Sequence, residues 1–202
     1  MKYFGTDGFR GEANVNLNVM HAYKVGRFLG WYYGKEHKAR VVIGKDTRRS
    51  SYMFEDALCA GLTASGADVY LLHVTPTPSV SYVVRTEKFD CGIMISASHN
   101  PYYDNGIKLI AASGDKFGDD VTARLEAAVV DGEFSFDKEK LGRVSEDKTA
   151  AERYKEIALG MGGKELPLQG LKVVLDCANG CFSKIMPEVF AKLGADVTAL
   201  SC

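Results

Sequence analysis

The sequence predicts an α/β protein, and three observations lead to that class. Strand-like apolar runs alternate with segments of helical periodicity along the chain. Hydrophobic residues make up 46% and charged residues 25% of the 202 residues, which is ordinary for a globular protein. No apolar run is long enough to cross a bilayer, and no repeat or low-complexity tract interrupts the alternation. This length allows one large domain, or one domain and part of another.

The elements of the first domain follow from apolar periodicity and from turn-forming residues. Asn18 suits the N-cap of a helix that extends to about Tyr33, and Gly66 suits the end of a helix that begins near Tyr52. A Thr-Pro-Thr-Pro segment at 75–78 separates a strand from a short helix. The predicted helices are 19–33, 52–65, 79–85 and 119–130, and the predicted strands are 41–43, 69–72, 91–95 and 107–111.

The remaining residues predict a second, incomplete unit. Residues 131–150 are polar and charged, which indicates a segment that crosses out of the first domain. A helix is predicted over 150–161, followed by strands at 173–175 and 197–200 around a helix at 183–193. Two parallel strands cannot cover their own faces. We therefore expect a first domain over 1–150 and the truncated start of a second α/β domain over 151–202.

Charge and cysteine usage exclude several classes of protein. The 25 basic and 26 acidic residues nearly balance, so the net charge does not predict binding to nucleic acid. The N-terminus lacks the apolar core of a signal peptide, and no membrane association is expected. The odd number of cysteines predicts buried thiols of a reduced, cytoplasmic protein. The Cys177 and Cys181 pair lacks zinc-site spacing, so core packing is predicted for both.

Residues 95–108 carry the strongest functional signal. An apolar run that ends at Ile95 is followed at once by Ser-Ala-Ser-His-Asn-Pro, which displays a serine hydroxyl in a tight turn at a strand end. The Asn-Gly pair at 105–106 predicts a second sharp reversal, after which Lys108 faces the same site. A serine that accepts a phosphoryl group becomes a dianion, which a metal ion and a Lys or Arg neutralise. Lys108 is the local candidate for that charge.

This segment resembles the phosphoserine loop of the α-D-phosphohexomutases, which move a phosphoryl group between the 1- and 6-positions of a hexose. In that family the serine directly before His-Asn-Pro carries the phosphate, so the resemblance points to Ser98 and not to Ser96. It implies that Lys108 assists proton transfer beside the phosphoserine. His99 either contacts substrate or phosphate, or helps Asn100 to fix the turn. A hydrolase pair of Ser98 and His99 is not predicted, because a triad needs its histidine to approach from elsewhere.

Two more segments are similar to the same family. Phe-Gly-Thr-Asp-Gly-Phe-Arg-Gly at 4–11 has glycines that allow tight turns and close approach to an anion. Its Arg10 suits phosphate, and in the family this arginine lines the active site. Gly-Lys-Asp-Thr-Arg at 44–48 matches a family segment in which we expect Asp46 and Arg48 to form a structural ion pair. Asp176 lies in a match to the family's second-domain opening, and its predicted role is structural.

The resemblance implies a mixed-sheet, three-layer α/β/α first domain and the start of a similar second domain. The segment at 44–55 is most similar to the phosphoglucosamine mutase branch, which implies an intramolecular phosphotransferase that interconverts glucosamine 6-phosphate and glucosamine 1-phosphate through a bisphosphate. The implied cofactor is Mg²⁺, held by the phosphate on Ser98 and by three aspartates of an Asp-Gly-Asp-x-Asp-Arg loop expected beyond residue 202. The fragment alone is expected to be inactive.

Two alternatives stay open. A phosphoglucomutase or phosphomannomutase of the same family would share every motif above, because the loop that selects the sugar lies in the family's third domain. A non-catalytic module that binds a sugar phosphate or a protein partner belongs to a different class. The expected small-molecule partner is a hexosamine phosphate, with no nucleic acid and no membrane, and the sequence leaves the oligomeric state undetermined.

Overall fold

A mixed sheet of seven strands organises residues 4–146. The computed structural model describes residues 3–5, 8–161 and 167–202. The strands are β1 (Phe4–Gly5), β2 (Gly8–Glu12), β3 (Arg40–Lys45), β4 (Asp68–Val74), β5 (Cys91–Ile95), β6 (Asp104–Ala111) and β7 (Val144–Glu146). Their order across the sheet is β1-β2-β6-β5-β3-β4-β7. Strands β5, β3, β4 and β7 run parallel, whereas β1, β2 and β6 are antiparallel to their neighbours.

Helices cover both faces of this sheet. They are α1 (Val19–Tyr33), α2 (Ser50–Thr63), α3 (Thr77–Thr86), α4 (Asp119–Asp131) and α5 (Ala150–Met161). Buried side chains of α1, α2 and α4 form one core with the first face, while α3 and the start of α5 form another with the second face. The predicted mixed-sheet, three-layer α/β/α architecture is confirmed.

The strand sequences account for the two cores. In β3, Val41 and Ile43 belong to the core under α1 and α2, and Val42 between them belongs to the core under α3. This alternation follows from the two-residue period of a strand. Strand β5 is buried along its whole length, as expected of a central strand covered on both faces. Burial continues through Ala97, two residues beyond the end of the strand, and ends at Ser98.

The start of α1 is fixed by a reciprocal cap. The Oδ1 atom of Asn18 accepts hydrogen bonds from the backbone N–H groups of Met20 (3.0 Å) and His21 (3.1 Å). In return, Nδ1 of His21 accepts from the N–H of Asn18 at 3.2 Å. The predicted N-cap at Asn18 is confirmed. Burial, and next the charge of Lys24, lower the pKa of His21, which suits a neutral ring that accepts a hydrogen bond.

Helices α1 and α2 pack closely at two glycines. A Cβ atom at Gly26 would lie 2.6 Å from the carbonyl oxygen of Leu58, and one at Gly61 would lie 2.2 Å from that of Tyr23. Both distances are shorter than a carbon–oxygen contact allows. The two backbones can therefore approach only because neither residue carries a side chain.

A second, smaller sheet follows. It contains β8 (Lys172–Asp176) and β9 (Asp196–Leu200), which are parallel and connected through α6 (Met186–Lys192). The predicted β-α-β unit is confirmed. Its apolar side chains are poorly covered, since Val174 is 67% and Leu200 is 47% exposed.

Two local predictions were wrong. Asn105 and Gly106 do not form a reversal but lie inside β6, opposite Gly11 and Arg10 of β2. The fully buried Asn105 side chain donates hydrogen bonds to the hydroxyls of two serines on α2, at 2.9 and 3.0 Å, which outweighs its local turn preference. The polar segment at 131–150 also contains β7, which adds to the outer side of β4.

The cysteine prediction holds only in part. Cys59 and Cys91 are buried, Cys177 and Cys181 are half-buried, and Cys202 is exposed. Burial is the main reason why the pKa of Cys59 is raised to about 12 and why that of Cys91 is raised as well. Among the described residues, no helix is long and apolar enough to span a membrane.

Candidate active site

The serine turn begins where β5 leaves the sheet. Ser96 is 6% exposed, and its Oγ atom accepts a hydrogen bond from the backbone N–H of Ser98 at 3.0 Å. Ser98 itself is exposed and has a φ of 59°, in the left-handed region that non-glycine residues rarely occupy. Such a conformation persists only where the surroundings fix it, and it is frequent at functional sites. The turn thus buries one serine as a support and displays the other.

The residues that follow Ser98 stabilise the turn. The backbone N–H of Asn100 donates to the carbonyl of Ala97 at 3.1 Å. The Asn100 side chain donates to Oδ2 of Asp104 at 2.9 Å, so the prediction that Asn100 fixes the turn is confirmed. His99 is exposed, with Nδ1 3.4 Å from Oγ of Ser98. This long contact between neighbours leaves the imidazole accessible for a ligand.

The Asp46–Arg48 segment lies against the same turn. Nε of Arg48 donates to Oδ2 of Asp46 at 2.9 Å, which confirms the predicted ion pair. The sequence did not reveal that the other four guanidinium N–H groups donate to backbone carbonyls of the serine turn. No local signal could reveal this, because the partners are 50 to 56 residues away in sequence.

Arg10 and Lys108 lie on neighbouring strands and share one face of the sheet. Arg10 of β2 is opposite Gly106 of β6, and Lys108 is two residues further along β6, opposite Met94 of β5. Residues that are opposite each other or two apart point to the same side. Met94 belongs to the core under α3, so Arg10 and Lys108 project from that face. Both cations therefore lie close to the strand that ends at the serine turn.

The glycine-rich N-terminal segment packs closely against β6 at Gly8. Gly8 has a φ of +92°, and a Cβ atom there would lie 2.3 Å from the carbonyl oxygen of Ile107. Gly8 therefore allows the segment to approach the backbone of β6, and the approach to an anion stays a prediction. Thr6 and Asp7 of this motif lie outside the described residues. Gly5, Gly8 and Lys108 line a cavity of about 240 Å³.

Comparison with known proteins agrees with this geometry. Residues 1–136 match the family model of the phosphoglucomutase/phosphomannomutase α/β/α domain I. The chain belongs to this family. It is 60% identical to a phosphoglucosamine mutase of Lachnoclostridium phytofermentans, with 96% of this chain and 44% of that protein covered. It is 59% identical to a phosphoglucosamine mutase of Lachnospira eligens, with the same coverage.

A solved structure of a phosphoglucomutase/phosphomannomutase family protein from Burkholderia thailandensis is also similar. Its TM-score is 0.83 at 27% identity, over 98% of this chain and 43% of that one. The predicted phosphohexomutase family, with its likeness to phosphoglucosamine mutase, is confirmed. The chain spans about 44% of the length of these two phosphoglucosamine mutases.

The described residues of this family member supply little for a metal ion. No group of three or more His, Cys, Asp or Glu side chains among them is placed to hold one. Asp46 and Asp104 are near the serine turn, but their carboxylates already accept hydrogen bonds from Arg48 and Asn100. Asp176 accepts from the N–H of Ala178 at 2.9 Å, which agrees with its predicted structural role.

Proposed function

We propose that the complete protein is a phosphoglucosamine mutase, which interconverts glucosamine 6-phosphate and glucosamine 1-phosphate. The observation that carries this proposal is the position of Ser98: its side chain is exposed in a strained turn that follows a fully buried strand. The substrate class is supported by relatives at 60% and 59% identity that are named phosphoglucosamine mutases. A hexosamine phosphate is therefore the proposed partner of this site.

In the proposed reaction, Ser98 carries a phosphoryl group and donates it to the free hydroxyl of the sugar phosphate. The bond from phosphorus to Oγ of Ser98 breaks as a bond to the sugar oxygen forms. The sugar hydroxyl loses its proton, and Oγ of Ser98 gains one. The resulting bisphosphate turns over in the site and returns its other phosphoryl group to Ser98. The net change is a moved phosphoryl group and a restored phosphoserine.

Lys108, Arg10 and His99 have distinct proposed roles. Lys108 is half-buried beside a cavity, where an ammonium group can assist proton transfer between the two oxygens. Arg10 shares its sheet face, where a planar guanidinium can bind two phosphate oxygens at once. His99 would contact phosphate or substrate, which is supported by its exposed imidazole next to Ser98.

Mg²⁺ is the proposed cofactor. This chain would contribute the phosphate oxygens of phosphorylated Ser98, and carboxylate ligands would come from beyond residue 202. When bound, the ion neutralises charge on the transferred phosphoryl group. Residues 1–202 alone would then lack activity. We also propose domains at 1–150 and 151–202, in line with the two separate sheets, and a cytoplasmic location, in line with the free thiols.

The nearest alternative is a phosphoglucomutase or phosphomannomutase. It is supported by the Burkholderia thailandensis structure, a phosphoglucomutase/phosphomannomutase family protein at lower identity. Turnover of glucosamine 6-phosphate, glucose 6-phosphate and mannose 6-phosphate by the complete protein separates the candidates. We expect the largest kcat/KM for the glucosamine compound; a larger value for either other sugar would favour the alternative.

Ser98→Ala tests the chemistry itself. We expect this variant to lose turnover by at least about 10⁴-fold, because no other group takes over the phosphoryl transfer. Ser113→Ala, at another exposed turn, is the matched control and should behave as the wild type. Turnover retained by Ser98→Ala would refute the proposal. A stop codon directly after Cys202 in the source gene would instead favour a non-catalytic binding module.

A further inference from the structure

The guanidinium of Arg48 uses all five of its N–H groups on fixed acceptors. Nε donates to the carboxylate of Asp46. Nη1 donates to two backbone carbonyls of the serine turn, one of them at 3.0 Å, and Nη2 donates to two others at 3.0 and 2.8 Å. The accepting carbonyls belong to Ser98, Asn100, Pro101 and Asp104. One side chain thus donates hydrogen bonds to four carbonyls within seven consecutive residues, 98–104.

These contacts orient the peptide that follows the nucleophile. The carbonyl of Ser98 points at Arg48, and none of the described peptide bonds is cis. In a trans peptide the N–H points opposite to the carbonyl. The N–H of His99 is therefore directed away from the guanidinium. Backbone N–H groups beside a left-handed residue form anion-binding concavities. The hydrogen bond from Arg48 to the carbonyl of Ser98 therefore also sets the direction of the His99 N–H group, which can donate to an anion.

Arg48 is not available to contact substrate. Its side chain is 10% exposed, and its charge is balanced by Asp46, which is 12% exposed. Asp46 is held in turn by the hydroxyl of Ser51 at 2.9 Å. Its backbone N–H donates to the carbonyl of Ile95, the last residue of β5, at 2.9 Å. The anchor of the turn is thereby fixed to the same strand end that carries the turn.

We infer that Arg48 is a positioning residue that holds the phosphoserine turn in the geometry required for phosphoryl transfer. This inference rests on the proposed function, because it assigns Arg48 a role through Ser98. It differs from the structural ion pair expected from the sequence, since four of the five contacts are with the turn and only one is with Asp46.

Lysine cannot reproduce this arrangement. It keeps the positive charge, but its ammonium has three donors on one atom, whereas the guanidinium spreads five over a rigid plane. Arg48→Lys therefore keeps the positive charge but removes the planar arrangement of hydrogen-bond donors, so it tests the arrangement alone. Arg49→Lys is the matched control, because Arg49 is adjacent, exposed and at the N-cap of α2.

The test uses the complete protein, phosphorylated to a measured extent. We expect Arg48→Lys to lower kcat per phosphorylated molecule by about 10²-fold, the effect of a small misplacement of a reacting group, with KM changed less than about threefold. The ³¹P resonance of phosphorylated Ser98 should also shift. Arg49→Lys should match the wild type in kcat, KM and ³¹P resonance. An Arg48→Lys phosphoenzyme with wild-type kcat and ³¹P resonance would overturn the inference, even if its thermal stability were reduced.

Wild-type protein gives a reading that does not depend on a variant's folding. Five engaged N–H groups predict separate, slowly exchanging guanidinium proton resonances for Arg48 in ¹⁵N spectra, and averaged, rapidly exchanging resonances would overturn the inference. Failure of the proposed function is recognised separately, by turnover that survives in Ser98→Ala. Loss in Ser98→Ala together with wild-type behaviour in Arg48→Lys would leave the function standing and remove the role of Arg48.

Discussion

The two sheets of this chain differ in how well they are covered. In the seven-stranded sheet, every residue of β5 is buried and both faces carry helices. In the two-stranded sheet, β8 alternates between exposed and half-buried residues, and Val174 is 67% exposed. The first sheet can therefore hold a rigid turn by itself. A pair of strands this poorly covered gains little stability from its own packing.

The turns at the ends of β5 and β8 repeat this contrast. Both contain non-glycine residues with positive φ, Ser98 in one and Ala178 and Asn179 in the other. The first is held by hydrogen bonds from the guanidinium of Arg48, whose side chain is 10% exposed. The second is held by Asp176 and by a backbone bond to Ser201, and it touches the first unit where the Thr47 hydroxyl donates to the carbonyl of Asn179 at 3.0 Å. The strained residue that we propose to carry the phosphoryl group, Ser98, thus lies in the better-anchored turn.

A pair of truncations should show the largest difference between the sheets. Leu58→Ala in α2 removes a side chain with 0% exposure and should lower the free energy of unfolding by about 2–5 kcal/mol. In the chain of residues 1–202, Val174→Ala on the exposed face of β8 should change the free energy of unfolding by less than about 0.5 kcal/mol. Urea unfolding followed by the fluorescence of Trp31, the only tryptophan of the chain, measures the first effect, and far-ultraviolet circular dichroism measures both. Equal losses would contradict the contrast.

Two glycine-to-alanine substitutions should change the stability of the protein in opposite directions. Gly61→Ala forces a methyl group against the backbone of α1 and should destabilise the protein by about 1–3 kcal/mol. Gly160→Ala in α5 meets no atom within 4 Å and should stabilise it by about 0.5–1 kcal/mol, because alanine favours helix more than glycine does. Thermal unfolding of both variants checks the signs. A stable Gly61→Ala protein would mean that the two helices can separate.

The smallest effect concerns pH and the first turn of α1. Because the pKa of His21 is lowered in the folded protein, its contribution to stability is complete above its ordinary value of 6.5 and is lost as pH falls below it. The melting temperature should therefore fall between pH 7.5 and pH 5.5. His21→Gln keeps a capping side chain that does not titrate. If its melting temperature fell as steeply as that of the wild type, the effect would belong to other groups.

Sequence reasoning succeeded where the signal was local. Strand 91–95 and helix 150–161 have the predicted bounds, because apolar runs and helical periodicity are properties of neighbouring residues. It failed at Asn105, whose partners lie on α2, and at β7, a polar edge strand without a pattern. At the site, the motif resemblance proposed Ser98, Lys108, His99 and Arg10. The contact of Arg48 with the turn depends on the tertiary fold and left no trace in local sequence.

The most direct test of the account is to find where the phosphoryl group resides. The complete protein would be incubated with glucosamine 1,6-bisphosphate, digested, and the peptide that contains both Ser96 and Ser98 sequenced by mass spectrometry. We expect one phosphate, on exposed Ser98, and none on Ser96, which is 6% exposed and hydrogen-bonded to the turn. A phosphate on Ser96, or on another residue with Ser98 unmodified, would contradict it.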